Sequence, residues 1–294
     1  MLKNLCLLYT WIFLGLNSGQ AQFVKEYQIA DVKGFELVDL KFSSYKSQIQ
    51  LRRSKSHGPL HIHGHLAQSN ILPEFAYSVA DEVLSASLIH KNIETDNLGK
   101  SITSKLFSSN SSYDHSWNIS LNSNFLYDLS FNLGMGKSEL DISHLPIAGL
   151  KIRSASSDVK IFFGDPVPNS VTMDTLLVTL SMGLLEVANA NYTNAREMIF
   201  EVDYGKIKLD FSDGLPQSCK VISAVSVGSV QVVLPPDKYP VKIKMNTTPM
   251  CRTVLPKYLK SLDKGVYVTK GFSASDPRLL EMIIDVGVGS VTIE

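Results

Sequence analysis

The chain has 294 residues, and its 28 Lys and Arg residues are balanced by 28 Asp and Glu residues. This balance leaves no basic surface for nucleic acid, which argues against a DNA- or RNA-binding protein. Only 19% of the residues are charged, and the abundance of Ser, Asn, Thr and Val favours short strands joined by polar turns.

Residues 1–21 have the order of a secretory signal peptide. Lys3 precedes an apolar run from Leu5 to Leu16, and Gly19 and Ala21 occupy the −3 and −1 positions of a cleavage site. The alternative is an uncleaved N-terminal anchor, although the apolar run is short for a membrane span. We therefore expect an exported protein, located in the periplasm, at the cell surface or outside the cell, with no membrane span in the mature chain.

The stretch HGPLHIHGHL, residues 57–66, is rich in histidine. His61, His63 and His65 alternate along it, so on an extended strand their side chains would share one face. Neutral imidazoles on one face can bind Zn²⁺ or Cu²⁺. The sequence therefore offers His61, His63 and His65 as a candidate metal site.

This histidine stretch has further candidate donors elsewhere in the chain, and it also has an interpretation without metal. Additional donors could come from His57, by folding back, or from His90 or His115 on neighbouring strands. The competing interpretation places Ile62 inward and the histidines in solvent, with Gly64 as a bulge or a close contact. No acidic or cysteine partner stands beside the histidines in the sequence, which favours this second interpretation.

Apolar residues alternate with period two at 75–79, 117–121 and 127–133, which predicts strands. The polar stretch 108–116 separates the first two of these. We place a domain boundary at 125/126, so that a smaller N-terminal β region, 22–125, packs on the same stack as a larger region, 126–294.

From residue 126 onward, a small residue repeatedly precedes a short alternating strand. Gly136, Ser157, Gly183, Gly205 and Gly228 follow one another at steps of 21, 26, 22 and 23 residues. Such a step predicts an all-β fold in which short strands stack as a solenoid-like sheet with rungs of about 20–25 residues. The alternative is an antiparallel sandwich whose hairpins have similar lengths.

Residues 249–282 interrupt this rhythm, and they include a predicted short helix from Tyr258 to Leu262. Two cysteines follow the predicted signal peptide, Cys219 and Cys251. In an oxidising compartment they can form one disulfide or remain two separate thiols, and the sequence leaves both alternatives open.

Two glycine-rich segments carry a family resemblance: LGMGKSELDISHLPI at 133–147 and GVGSVTI at 287–293. With the strands between them, they resemble the bacterial "putative adhesin" or "toast-rack" family, which also forms C-terminal domains of cell-wall stress-response regulators. The resemblance implies a β-solenoid-like domain with an envelope or surface role. It supplies no catalytic residue and no cofactor.

Motifs for enzymatic chemistry are weak. GMGKS at 134–138 lacks the first glycine of a phosphate-binding loop, since Phe131 occupies that position, and a strand follows it. The recurring carboxylates fall between apolar residues, as solvent-facing positions do; they are Asp141, Asp158, Glu186, Asp203 and Asp210.

We therefore expect a non-enzymatic envelope or surface protein that acts in adhesion, scaffolding or sensing, with a protein or glycan partner at the surface and no cofactor. One alternative is a metal-binding envelope protein that uses His61, His63 and His65. A second is a carbohydrate-active enzyme on a β-solenoid, which would need two carboxylates facing each other across a cleft.

Overall fold

The computed structural model describes residues 23–30, 32–66, 73–90 and 115–294. Within these ranges the chain forms one mixed, mostly parallel sheet of 17 strands, and the only helical element there is a single 3-10 turn at Ala190–Thr193. The predicted all-β class is confirmed. None of the helical structure in these ranges is long and apolar enough to cross a membrane, and the predicted signal peptide lies outside them.

The strands are numbered in chain order. They are β1 (Phe23–Ile29), β2 (Leu37–Ser44), β3 (Ser47–Ser54), β4 (Leu60–Leu66), β5 (Glu74–Ala80), β6 (Val83–Ile89), β7 (His115–Asn122), β8 (Leu126–Asp141), β9 (Ile147–Phe162), β10 (Met173–Val187), β11 (Ala195–Asp210), β12 (Cys219–Val233), β13 (Val241–Thr247), β14 (Cys251–Val254), β15 (Lys260–Asp263), β16 (Val266–Val268) and β17 (Leu280–Ile293).

Six long strands form the centre of the sheet: β8, β9, β10, β11, β12 and β17 lie side by side, all parallel. Their pairing places equivalent residues of the sequence repeat next to one another. Gly183 pairs with Gly205, Gly205 with Gly228, and Gly228 with Gly289. Side chains at matched positions therefore stack into rows that run across the sheet.

Each long strand bends near its middle, and the bend reverses which residues point inward. In β10, Leu176, Val178 and Leu180 are buried before the bend, and Leu185 and Val187 are buried after it. The spacing of five residues between Leu180 and Leu185 (185 − 180) is odd, so the chain rotates at the bend as it does at a β-bulge. Both halves of the strand thus keep an apolar face on the core.

Glycines form a column along this bend, with Ser157 in their place on β9. Gly205 has φ 153° and Gly228 has φ 146°, values that residues with a side chain rarely adopt. The strands also approach closely here, because a Cβ at Gly228 would lie 1.8 Å from the carbonyl oxygen of Gly205. Backbone angle and lack of space both require glycine, and GMGKS is accordingly a bend within β8, with Gly136 in this column, and does not open a helix.

The first half of the chain extends the same sheet. β2 pairs with the first half of β8, and β3 pairs with its second half, both in parallel. β6 and β7 then add to β2 and β3. Antiparallel strands complete this end, with β5 beside β6, and β4 between β7 and β1.

At the other end, β13 and β14 pair with the two halves of β17. The helix predicted from Tyr258 to Leu262 is wrong, since Lys260–Asp263 forms β15, which pairs antiparallel with β16. Gly265 has φ 73°, which permits a two-residue turn at 264–265. This turn and the pairing of β16 with β13 outweigh a weak local helical preference.

The core consists of rows of apolar side chains between the two halves of the bent strands. One row contains a polar exception, Ser223, which is fully buried and whose hydroxyl has no hydrogen-bond partner among the described residues. In the paired strands it lies between Phe200 and Ile284. The full row is Phe131, Ile152, Val178, Phe200, Ser223 and Ile284.

We predict that Gly228→Ala lowers the free energy of unfolding by at least about 2 kcal/mol, because a methyl group adds a steric clash to backbone strain. Urea denaturation followed by circular dichroism measures the change. The matched control is Gly34→Ala, where φ is 82° but no atom lies within 4 Å of the added Cβ, so only about 1 kcal/mol of strain is expected. If both variants lost the same amount of unfolding free energy, the close approach of the strands at Gly228 would be contradicted.

We predict that Ser223→Ala raises the free energy of unfolding by about 1 kcal/mol, because it removes a buried hydroxyl that lacks a partner. The control is Ser154→Ala. The Ser154 hydroxyl lies 2.6 Å from that of Ser157, so its removal leaves a buried group unpaired and should lower stability. Thermal melts measure both, and a lower melting temperature for Ser223→Ala than for the unaltered protein would refute this account.

Candidate functional site

The strand β4 lies inside the sheet, between β1 and β7, and carries the predicted histidines. Its inward residues Leu60, Ile62 and Leu66 are buried. The alternate positions His61, His63 and His65 point outward and are half-buried. The predicted common face of the three histidines is therefore present, and it is the outer face.

Gly64, which lies between His63 and His65 on β4, packs against a buried aromatic ring. Gly64 points inward and pairs with Trp117 of β7, and a Cβ at Gly64 would lie 2.4 Å from the Trp117 ring. The buried indole thus covers the glycine, an arrangement that stabilises a glycine in a strand. Trp117 Nε1 also donates a hydrogen bond to Ser44 Oγ at 3.0 Å. The close contact predicted at Gly64 is this indole ring.

The three outward histidines divide into a pair and a single ring. His63 Nε2 and His65 Nε2 lie 3.1 Å apart, with ring centroids separated by 4.7 Å. His61 Nε2 lies 2.7 Å from Glu26 Oε1 on the neighbouring strand β1. Glu26 is directly opposite His63 in the pairing of β1 with β4, so an acidic group does accompany the cluster in space.

The additional histidine donors are not brought to this cluster. His115 pairs with the inward residue Leu66, and its ring lies 4.4 Å from that of buried His90, so these two rings are on the inner side of the sheet. His57 precedes β4 and lines a cleft with Asn122 and Asn124. In the observed rotamers, no three His, Cys, Asp or Glu side chains of the described ranges are arranged to hold a metal ion.

The recurring carboxylates do not converge on a cleft. Four of them make local structural contacts: Asp141 Oδ1 accepts a hydrogen bond from Ser143 Oγ, Asp158 Oδ1 one from the Leu184 amide, Asp210 Oδ1 one from the Ser212 amide, and Glu186 forms an ion pair with Lys160. Asp203 is exposed on β11 and lines a surface pocket with Glu201 and Asp285. The other four are engaged in the contacts above, so the five predicted carboxylates provide no facing pair among themselves for glycosidic bond cleavage.

Both cysteines are free thiols. Cys219 lies beside Leu280, and Cys251 beside Gly289, nine residues further along β17 (289 − 280). Strand neighbours this far apart are incompatible with a disulfide, which needs Cα atoms within about 7 Å, so the pairing that the sequence left open does not occur in this structure. Burial raises the pKa of the Cys219 thiol to about 12.

The outer face carries two rows of alternating charge that cross the long strands. Within each row, neighbouring residues on adjacent strands have opposite signs. One row is Glu139, Lys160, Glu186 and Lys208, and the other is Glu197, Lys220, Glu281 and Lys242.

Direct contacts accompany these charge rows. Lys160 Nζ lies 3.1 Å from Glu186, and Lys220 Nζ lies 3.0 Å from Glu197. Lys137 donates a hydrogen bond to Glu139 and holds the pKa of that carboxyl below its usual value. These rows were not predicted from the sequence, although the repeat steps place their members at equivalent positions.

No curated protein matches this chain. A solved "putative cell adhesion protein" from Clostridium sporogenes is 17% identical, with a TM-score of 0.48, over 93% of this chain and 99% of its own. A solved "putative adhesin" from Bacteroides fragilis is 13% identical, with a TM-score of 0.37, over 94% and 98% of the two chains.

A family model matches the first part of the chain, including the glycine-rich segment 133–147 but not the segment 287–293. The model of the N-terminal domain of toast_rack, DUF2154, matches residues 19–175. This match includes the histidine strand β4, the bend of β8 and the start of the parallel stack. Because it covers more than half of the 294 residues, the chain belongs to the toast-rack family.

Proposed function

We propose that this chain is an exported, non-enzymatic protein of the cell envelope or surface, which presents a long β surface for adhesion, scaffolding or sensing. Membership of the toast-rack family supports this proposal, since the resemblance implies an envelope role. The observation that carries it is the outer face of the stack. Its charged side chains pair with one another in rows, as Lys160 does with Glu186, Lys220 with Glu197 and Lys242 with Glu281.

The proposal includes a solenoid-like path for the chain, with rungs of about 20–25 residues. Short connections support this path. β8 has 16 residues, and only residues 142–146 link it to the start of the parallel strand β9. A straight strand of that length spans about 53 Å, whereas a link of five residues spans about 20 Å at most. Each long strand must therefore curl back, which favours a coil around the core.

A continuous β surface of this kind suits binding to an extended partner. Successive strands present side chains at about 4.8 Å intervals, so a protein or glycan laid across the strands meets the same row of positions on each one. The neutral balance of charge along these rows favours polar contacts over attraction to a single sign of charge. A surface protein or glycan is the partner that we propose.

The test combines localisation with an activity screen. We predict that cell fractionation finds the protein in the envelope or outside the cell, and that added protease removes it from intact or outer-membrane-permeabilised cells. The purified protein should release no reducing ends from a broad panel of polysaccharides, because the five recurring carboxylates do not form a facing pair. Reducing-sugar assays measure this release.

Two results would contradict the proposal. A cytoplasmic location that is insensitive to protease would rule out the envelope role. Hydrolysis of one polysaccharide that is abolished by replacing a single carboxylate, such as Asp203→Asn, would establish a carbohydrate-active enzyme instead. The matched control is Asp174→Asn, which removes another exposed carboxylate from the neighbouring strand β10.

A further inference from the structure

We propose that His63 and His65, completed by Glu26, form a surface site for one divalent transition-metal ion, Zn²⁺ or Cu²⁺. This inference is independent of the proposed surface role. It rests on the geometry of the outer face of β4, where two imidazole nitrogens face each other and a carboxylate stands on the adjacent strand. Imidazole and carboxylate are the donors that these ions accept in proteins.

The separation of the two nitrogens suits chelation. Two ligand atoms bound at about 2.0–2.1 Å to one tetrahedral ion lie about 3.3–3.4 Å apart. His63 Nε2 and His65 Nε2 are 3.1 Å apart, so a small rotation of the two rings directs both nitrogens at one ion. Without metal, one ring donates its N–H to the other at this distance. A shift of that proton to Nδ1 of the same ring frees both Nε2 lone pairs.

Glu26 is the third donor. It lies directly opposite His63, and side chains in that relation on antiparallel strands have Cβ atoms about 4.5–5.5 Å apart. Its side chain is 63% exposed, which leaves it room to rotate from His61 towards the histidine pair. His61 Nε2, now 2.7 Å from the Glu26 carboxylate, can then bond the second carboxylate oxygen and orient it.

The scaffold beneath the pair is rigid. β4 is paired along its whole length with β1 on one side and β7 on the other, and Trp117 packs against Gly64, the residue between the two histidines. A site on a paired strand keeps its donors in place better than a site on a loop. The backbone that carries the pair is therefore fixed before an ion arrives, and only side chains need to turn.

The experiment is calorimetric titration of the purified protein, prepared without a histidine tag, with ZnCl₂ and separately with CuCl₂ at neutral pH. We expect one ion per chain. His63→Ala and His65→Ala should each weaken binding at least tenfold, and Glu26→Gln should weaken it less. The Cu²⁺-loaded protein should show electron paramagnetic resonance splitting from two nitrogen nuclei.

The control is His57→Ala, which removes a histidine in the turn before β4 and should leave binding unchanged. Because the substituted side chains point outward, thermal melts of the metal-free variants should match the unaltered protein, and His63→Gln provides a second variant if His63→Ala does not fold. Failure to bind one ion stoichiometrically would overturn the proposal, and so would equal affinity in a protein that lacks both His63 and His65. Neither result would bear on the surface role, which is tested by localisation and hydrolysis.

Discussion

The close contact between successive strands at the bend controls the rest of the structure. At this point a side chain on one strand would meet a backbone carbonyl of the neighbouring strand, as at Gly228, where a Cβ would lie 1.8 Å from the oxygen of Gly205. The contact leaves no space for a side chain and requires a backbone angle that favours glycine. Because the bends are aligned, the long strands keep their register through the bend, although β8 and β9 shift by one residue between Tyr127 and Asp128, far from it. Each long strand turns its apolar face inward twice.

The alignment of the bends determines which side chains are neighbours in every row across the sheet. Equivalent residues of the repeat become nearest neighbours, so apolar rows pack well, but identical charges would repel one another. The chain meets this constraint by alternating the signs of charge along its outer rows, as in Glu186 between Lys160 and Lys208. Mixed rows of this kind also disfavour a shifted register, since a slip would place different partners side by side.

Much of this architecture could be predicted from the sequence, because the bend glycines and the apolar pairs after them recur at similar steps. The pairs in the structure include Gly136 with Ser157 and Gly183 with Gly205, two of the steps that were measured in the sequence. The reversal of inward residues at the bend could not be predicted, since it depends on a local rotation of the backbone. The helix predicted near Tyr258 was wrong because strand pairing and a two-residue turn decided that segment.

The candidate site likewise could be predicted only in part from the sequence. The outward face shared by His61, His63 and His65 follows from alternation alone, and the inward position of Ile62 was correctly expected. The pairing of β1 with β4, which brings Glu26 to the histidines, involves residues far apart in the chain and leaves no local signal. The same limit applies to His115, whose inner position depends on its alignment with Leu66.

The most direct test of the aligned stack is a distance measurement by pulsed electron paramagnetic resonance. Spin labels would be attached at Met135→Cys and Val288→Cys in a background with Cys6→Ser, Cys219→Ala and Cys251→Ser. These two positions belong to one row, five strand spacings apart, so their backbones should be separated by about 24 Å. A single narrow distribution near that value, broadened by the label linkers, is the predicted result. A broad distribution, or one centred beyond about 35 Å, would contradict the alignment of the bends.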